Sequence, residues 1–242
     1  MNMKTRDINM QTRANDKYLD DSLDTMNPAP RCPVVLLLDT SGSMRGEPIN
    51  ELNAALRQFV HETSIDEAAS MSVELEIITF GDEARVILPF TPINNVRKNS
   101  TSLSAAGGTF IGAALQQAES NLRIRREMYR SAGISSYKPW VVLMTDGRPG
   151  DNWKAPAEKL REMAEHDDIT YLGLEIGSKA DHQMMCQILP ANARPLKLQG
   201  LKFKEFFRWL TDSMKSISAS AVSDQDNVRF GSIRSWADLG GV

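Results

Sequence analysis

Five consecutive apolar residues, Val34-Val35-Leu36-Leu37-Leu38, follow Pro33 and stop abruptly at Asp39. So short a run of branched side chains predicts a strand buried on both faces. Val141-Val142-Leu143-Met144 repeats the pattern and stops at Thr145-Asp146-Gly147. Between them the spacing changes. Ile49, Leu52, Leu56, Phe59 and Val60 recur at helical intervals and predict a helix over about 46–63. Val73, Leu75 and Ile77 alternate with Glu74 and Glu76, the pattern of a strand with one wetter face. Phe80-Gly81-Asp82-Glu83-Ala84 reads as a tight reversal into 85–90. Ile111, Ala114, Leu115, Ala118 and Leu122 form the next helical stripe. A helix running to about 167, a strand at 169–177, a short helix near 181–189 and a short strand near 194–198 follow. A last helix over 201–217 is amphipathic through Phe203, Phe206, Phe207, Leu210, Met214 and Ile217, an aromatic stripe expected in the core. This alternation of about six strands with six or seven helices predicts an α/β fold. The expected form is a doubly wound, mostly parallel six-stranded sheet with helices on both faces.

Both ends depart from the pattern. Residues 1–30 mix Asp7, Asp16, Asp20, Asp21 and Asp24 with Lys4, Arg6, Arg13 and Lys17 and carry few large apolar residues. Such a segment buries too little surface to offset ordering, so a flexible polar tail is expected, closed by Asn27-Pro28-Ala29-Pro30. The globular domain is expected over 31–219. In 220–242, Phe230, Ile233, Trp236 and Leu239 recur every third residue after a polar stretch, and this tail is expected to pack on its own domain.

Composition excludes several classes. With 41% hydrophobic and 24% charged residues among 242, the chain fits one soluble core plus tails. A net charge of −3 gives no electrostatic footprint for nucleic acid. No apolar stretch is long enough to span a membrane and no secretory signal is visible, so a cytoplasmic location is expected. Cys32 and Cys186 are the only cysteines, expected to be free thiols, with Cys186 a small core filler. His61, His166 and His182 lack metal-ligand spacing and read as surface or helix-end residues. Arg123, Arg125, Arg126 and Arg130 crowd the end of one helix, where cations suit the macrodipole.

The candidate chemistry lies where the strands end. Asp39-Thr40-Ser41-Gly42-Ser43 delivers a carboxylate and two hydroxyls at the carboxyl end of a buried strand, where open α/β sheets bind ligands. Hard oxygen donors without nearby Cys or His suit a hard divalent cation, Mg²⁺ first, with Mn²⁺ or Ca²⁺ as alternatives. The competing reading is a turn whose Asp and Ser cap the next helix. Thr109, behind Gly107-Gly108 and ahead of a helix, adds a hydroxyl, and Asp146 adds a second strand-end carboxylate.

Asp-x-Ser-x-Ser, then Thr, then Asp, in this order, resembles the von Willebrand factor A domain and its metal-ion-dependent adhesion site. The resemblance implies that Ser41 and Ser43 bind the metal directly. Thr109 would join in one state, and Asp39 and Asp146 would act mainly through water. It also implies one antiparallel edge strand in an otherwise parallel sheet, and an open metal position for a partner's carboxylate. More narrowly, the stretch 137–153 and the Gly-Gly-Thr-x-Ile-Gly-x-Ala-Leu pattern at 107–115 are similar to the bacterial tellurium-resistance TerY family. That likeness covers roughly 32–217, and Gly150 stands where the family usually has Thr. It implies a stress-response adaptor working with serine/threonine-kinase-like or phosphatase-like proteins.

Three other readings compete with this one. A metal-dependent phosphohydrolase of the haloacid-dehalogenase type needs a general-acid Asp two positions after Asp39, and Ser41 stands there. Gly-x-Gly-x-x-Gly is missing from the first strand-to-helix turn, and no Gly-Lys-Ser/Thr phosphate loop occurs. A subunit of an AAA-ATPase or chelatase assembly is a further alternative. The expectation is a binding module, not an enzyme.

Overall fold

The computed structural model describes residues 23–97 and 100–239. Its chain alternates strands and helices in the order β1 (Cys32–Asp39), α1 (Glu47–Ser64), α2 (Glu67–Ser72), β2 (Val73–Phe80), β3 (Ala84–Pro92) and α3 (Ile111–Ser131). β4 (Trp140–Thr145), α4 (Lys154–Glu165), β5 (Thr170–Glu175), α5 (His182–Ile188), β6 (Leu196–Leu198), α6 (Phe203–Ser218) and β7 (Ala237–Leu239) complete it.

These strands form one sheet in the order β3-β2-β1-β4-β5-β6-β7. The five inner strands are parallel, and β3 and β7 run antiparallel at the two edges. The sheet thus has seven strands where the pattern predicts six, and two antiparallel edges where the resemblance implies one. β7 is a three-residue Ala-Asp-Leu segment. So short a strand carries no readable alternation and is ordered by pairing with β6.

Every residue of β1 is buried, and its side chains divide between two layers. Cys32, Val34, Leu36 and Leu38 face a core built with α1, α2 and α6, while Val35 and Leu37 face α3, α4 and α5. A continuous apolar run is what a strand covered on both faces requires.

β2 departs from expectation. Glu74 and Glu76 are 1% and 0% exposed, so neither face of this strand is wet. Arg125 of α3 lies 2.6 Å from Glu74 Oε2, Arg31 Nε lies 3.4 Å from Glu74 Oε1, and the Tyr129 hydroxyl donates to Glu74 Oε2. Asn121 Nδ2 donates to Glu76 Oε1 at 2.7 Å. The α3 face over this strand carries the matching donors, so alternation here reports buried ion pairing instead of solvent. For the same reason Arg125 is a core residue and not a helix-end cation, although Arg126 and Arg130 remain at the surface. Cys186 is likewise exposed, because Met184, Met185 and Ile188 occupy the buried side of α5.

Of the polar tail expected over 1–30, residues 1–22 lie outside the described residues. Arg31 Nη2 donates to the carbonyls of Asp24 at 2.6 Å and Asn27 at 3.0 Å, and Asn27 Nδ2 reaches the Met71 carbonyl at 2.7 Å. At the other end Trp236 is buried against Phe206 and Trp209, with ring centroids 5.1 and 5.4 Å away.

Candidate metal centre

The order of strands reverses its direction of growth at β1 and β4: the chain adds β2 and β3 on one side of β1 and later crosses to β4 on the other. Loops leaving adjacent strands at such a point diverge and open a crevice at their carboxyl ends. Asp39 ends β1, and Asp146 follows directly on β4.

Five donor side chains converge there. Asp39 is fully buried; its Oδ1 accepts from the Ser41 backbone N–H at 2.8 Å and its Oδ2 from the Thr145 hydroxyl at 2.6 Å. Ser41 Oγ and Ser43 Oγ are 3.0 Å apart, and Ser43 Oγ donates to Asp146 Oδ1 at 2.7 Å. Thr109 enters from the loop before α3. A methyl group placed on Gly147 would stand 3.2 Å from the Thr109 hydroxyl oxygen and 3.9 Å from Asp39 Oδ2. The absence of that methyl lets the threonine and the aspartate approach the same turn. The structure therefore brings Asp39, Ser41, Ser43, Thr109 and Asp146 to one place.

The helix-cap alternative does not account for this arrangement. Ser41 precedes the short 3-10 turn Gly42–Met44 without a side-chain cap bond, and α1 starts after Gly46, also uncapped by a side chain. The Ser43 hydroxyl turns toward the Asp146 carboxylate, and the Ser41 hydroxyl toward Ser43. Burial pushes the Asp39 carboxyl above its ordinary range; hydrogen bonds from Ser41 and Thr145 offset part of this, and the Asp146 charge adds to it. Two carboxylates thus face one cluster of neutral hydroxyls, a place where a cation relieves electrostatic repulsion. Among the described residues no three His, Cys, Asp or Glu side chains gather as a metal-binding group.

Three supporting residues escaped the sequence reading. Thr145 orients Asp39 as described. Asp82 Oδ1 accepts from the Gly108 N–H at 2.6 Å and packs so closely on Gly107 that a Cβ there would fall 2.3 Å from the carboxylate. Gly107 also has φ +77°, a conformation glycine adopts without strain. Asp151 accepts from the N–H groups of Gly112 and Ala113 at 3.0 and 2.9 Å, capping α3 from the loop after β4. The Gly42 N–H donates to the Gly107 carbonyl at 2.9 Å, and the Ala106 N–H to the Thr40 carbonyl at 2.8 Å, locking the Thr109 loop onto the end of β1. Their only sequence signal was a carboxylate or hydroxyl inside a glycine-rich turn.

An open α/β sheet with an oxygen-donor cluster at its switch point defines a ligand-binding domain of the doubly wound class. Residues 34–231 match the von Willebrand factor type A domain, and the chain belongs to that family. Domains of this family generally mediate protein interactions, often through a metal-ion-dependent site, and are not usually enzymes. Among solved structures, a von Willebrand factor type A protein from Catenulispora acidiphila aligns with a TM-score of 0.59 at 17% identity, over 78% of this chain and 43% of that one. The mussel byssus proximal thread matrix protein 1, in a form with a zinc-occupied adhesion-site motif, aligns at 0.52 and 15% identity, over 77% and 48%. Manganese-loaded TRAP protein of Plasmodium vivax aligns at 0.50 and 22% identity, over 68% and 64%. Each shares the fold, and the chain spans less than two thirds of their lengths. No curated protein matches in sequence. No described helix is long and apolar enough to cross a membrane.

Proposed function

We propose that the chain is a metal-dependent protein-binding adaptor that receives an acidic side chain of its partner at the Asp39, Ser41, Ser43, Thr109 and Asp146 cluster. The observation that carries this reading is the continuous path from Asp39 through the Ser41 backbone N–H and the Ser41 and Ser43 hydroxyls to Asp146, in which neither hydroxyl caps a helix. The donors are all oxygen and only two are carboxylates, which fits Mg²⁺ first, with Mn²⁺ or Ca²⁺ as alternatives. The mussel protein with its zinc-occupied adhesion-site motif and the manganese-loaded Plasmodium protein support a divalent ion as the ligand.

Ser41 and Ser43 are the direct ligands of this proposal. Asp39, held by Thr145 and the Ser41 N–H, fixes the orientation of bound water and supplies charge. Asp146 does the same from the far side while positioning Ser43. Thr109 reaches the cluster past Gly147 and completes it when a partner is seated. A bound dication with neutral inner ligands supplies an electrophilic position for a carboxylate.

The process served follows from the likeness of 107–115 and 137–153 to the TerY family. We assign the adaptor to a cytoplasmic stress-response or tellurium-resistance system, with a serine/threonine-kinase-like or phosphatase-like partner. A phosphohydrolase is disfavoured by Ser41, which stands where that chemistry needs a carboxylic acid and bonds to Ser43 instead.

The test is a pull-down from producing cells, with and without EDTA, read by mass spectrometry. Proteins retained in Mg²⁺ and released by EDTA, and lost with Ser43→Ala, support the proposal. Equal capture under all three conditions would overturn it. Sustained phosphoester turnover abolished by Asp39→Asn would replace it with the enzyme reading.

A further inference from the structure

Glu175, at the carboxyl end of β5, is buried, and its Oε1 lies 2.7 Å from Nδ1 of His182 in the first turn of α5. One turn later Cys186 presents its Sγ to the opposite ring nitrogen, 3.5 Å from His182 Nε2. The i, i+4 spacing stacks imidazole and thiol on the same helix face. That face is exposed at Cys186, and the His182 side chain is 47% exposed. Packing of α5 rests on other residues, so the core makes no use of either side chain.

Chemically this is a nucleophile, a base and a group that orients the base, in hydrogen-bonding sequence. Glu175 accepting the Nδ1 proton leaves the Nε2 lone pair facing the thiol. We propose that Glu175, His182 and Cys186 form a reactive-thiol site at which Cys186 is oxidised by a hydroperoxide, separate from the metal centre and independent of its function.

In the reaction the Cys186 sulfur attacks the terminal peroxide oxygen. A sulfur–oxygen bond forms and the oxygen–oxygen bond breaks. The thiol proton passes to His182 Nε2 and from the imidazolium to the departing alkoxide or hydroxide. Sulfur loses two electrons, the hydroperoxide gains them, and the products are a sulfenic acid and an alcohol or water. Partial burial and the Glu175 charge push the Cys186 thiol up, so it rests protonated and needs the base during attack.

Several charged groups surround the chain of residues. Lys197 stands beside Glu175 in the β5–β6 register, Asp181 at the start of α5 lies 3.5 Å from Arg148, and Arg161 of α4 donates to the Gln187 carbonyl. Cys32 is buried in the opposite layer, which leaves the sulfenic acid as the product.

The experiment exposes the full chain to hydrogen peroxide with dimedone as sulfenic-acid trap and maps adducts by peptide mass spectrometry. Cys186 should be labelled and Cys32 spared. His182→Gln should slow labelling at least about tenfold, with Glu175→Gln slowing it less. An equal rate in a folded His182→Gln protein overturns the proposal. If labelled Cys32 shows that His182→Gln has unfolded, Glu175→Gln decides, and labelling there at the wild-type rate overturns the proposal.

Discussion

Ser43 Oγ donates to Asp146 Oδ1 across 2.7 Å, joining two residues 103 positions apart and tying the end of β1 to the end of β4. Ser43 is exposed and caps no helix, so this bond contributes to the site more than to the fold. Ser43→Ala should leave the melting temperature nearly unchanged while weakening Mg²⁺ binding by about tenfold or more. Ser41→Ala should behave alike. Calorimetric titration measures both, and undiminished affinity in either variant would move the metal away from these serines.

Thr109 and Gly147 make a linked pair. Thr109→Ala removes a hydroxyl proposed to act when the partner is seated, so Mg²⁺ affinity should largely persist while partner capture is lost. Gly147→Ala keeps the hydroxyl but places a methyl 3.2 Å from it, closer than relaxed packing tolerates. It should therefore depress partner capture too. Titration beside a pull-down separates the cases, and equal loss of metal and partner in Thr109→Ala would make Thr109 a ligand in every state.

The donor cluster was legible because each donor sits where an apolar run or a glycine turn stops, and β1 and β4 announce their ends in sequence. Its supports were not. Thr145, Asp82 and Asp151 work through one or two hydrogen bonds to groups brought near only by folding. Nothing in a single turn distinguishes such a residue from a solvated one. Glu74 and Glu76 were misread for a related reason. Polar alternation ordinarily means water, and only the crossing of α3 over β2 reveals that Arg125, Tyr129 and Asn121 replace it. Cys186 was misplaced because a seven-residue helix leaves its buried face ambiguous in sequence.

Glu76 makes stability depend on pH. Burial pushes its carboxyl from 4.5 up to about 8, against the opposing effects of Asn121 and Arg125, and Oε2 has no hydrogen-bond partner among the described residues. A carboxyl with a raised folded-state pKa binds its proton more tightly when folded. Its contribution is therefore complete below pH 4.5 and is lost as pH rises to about 8. Glu76→Gln keeps an acceptor for Asn121 and removes the titration. The stability difference, variant minus wild type, should grow with pH across that window and then level off. Denaturant midpoints across the range measure it, and a flat difference would show that Glu76 ionises normally.

Trp236 anchors the end of the described chain. It is 1% exposed against Phe206 and Trp209, while the Gln199 N–H donates to its carbonyl at 2.9 Å and the following residues form β7 on β6. Deleting so large a buried side chain costs about 3–5 kcal/mol, a large share of a domain's stability. Trp236→Ala should therefore lower the melting temperature by several degrees. Truncation after residue 227 should do at least as much, because it also uncovers the edge of β6 and removes Phe230 from Trp140, whose rings lie 5.2 Å apart. Both are read by thermal unfolding beside the partner pull-down. If the truncated chain melts like wild type but no longer captures its partner, residues 228–242 serve recognition instead of stability; the burial of Trp236 favours the loss of stability.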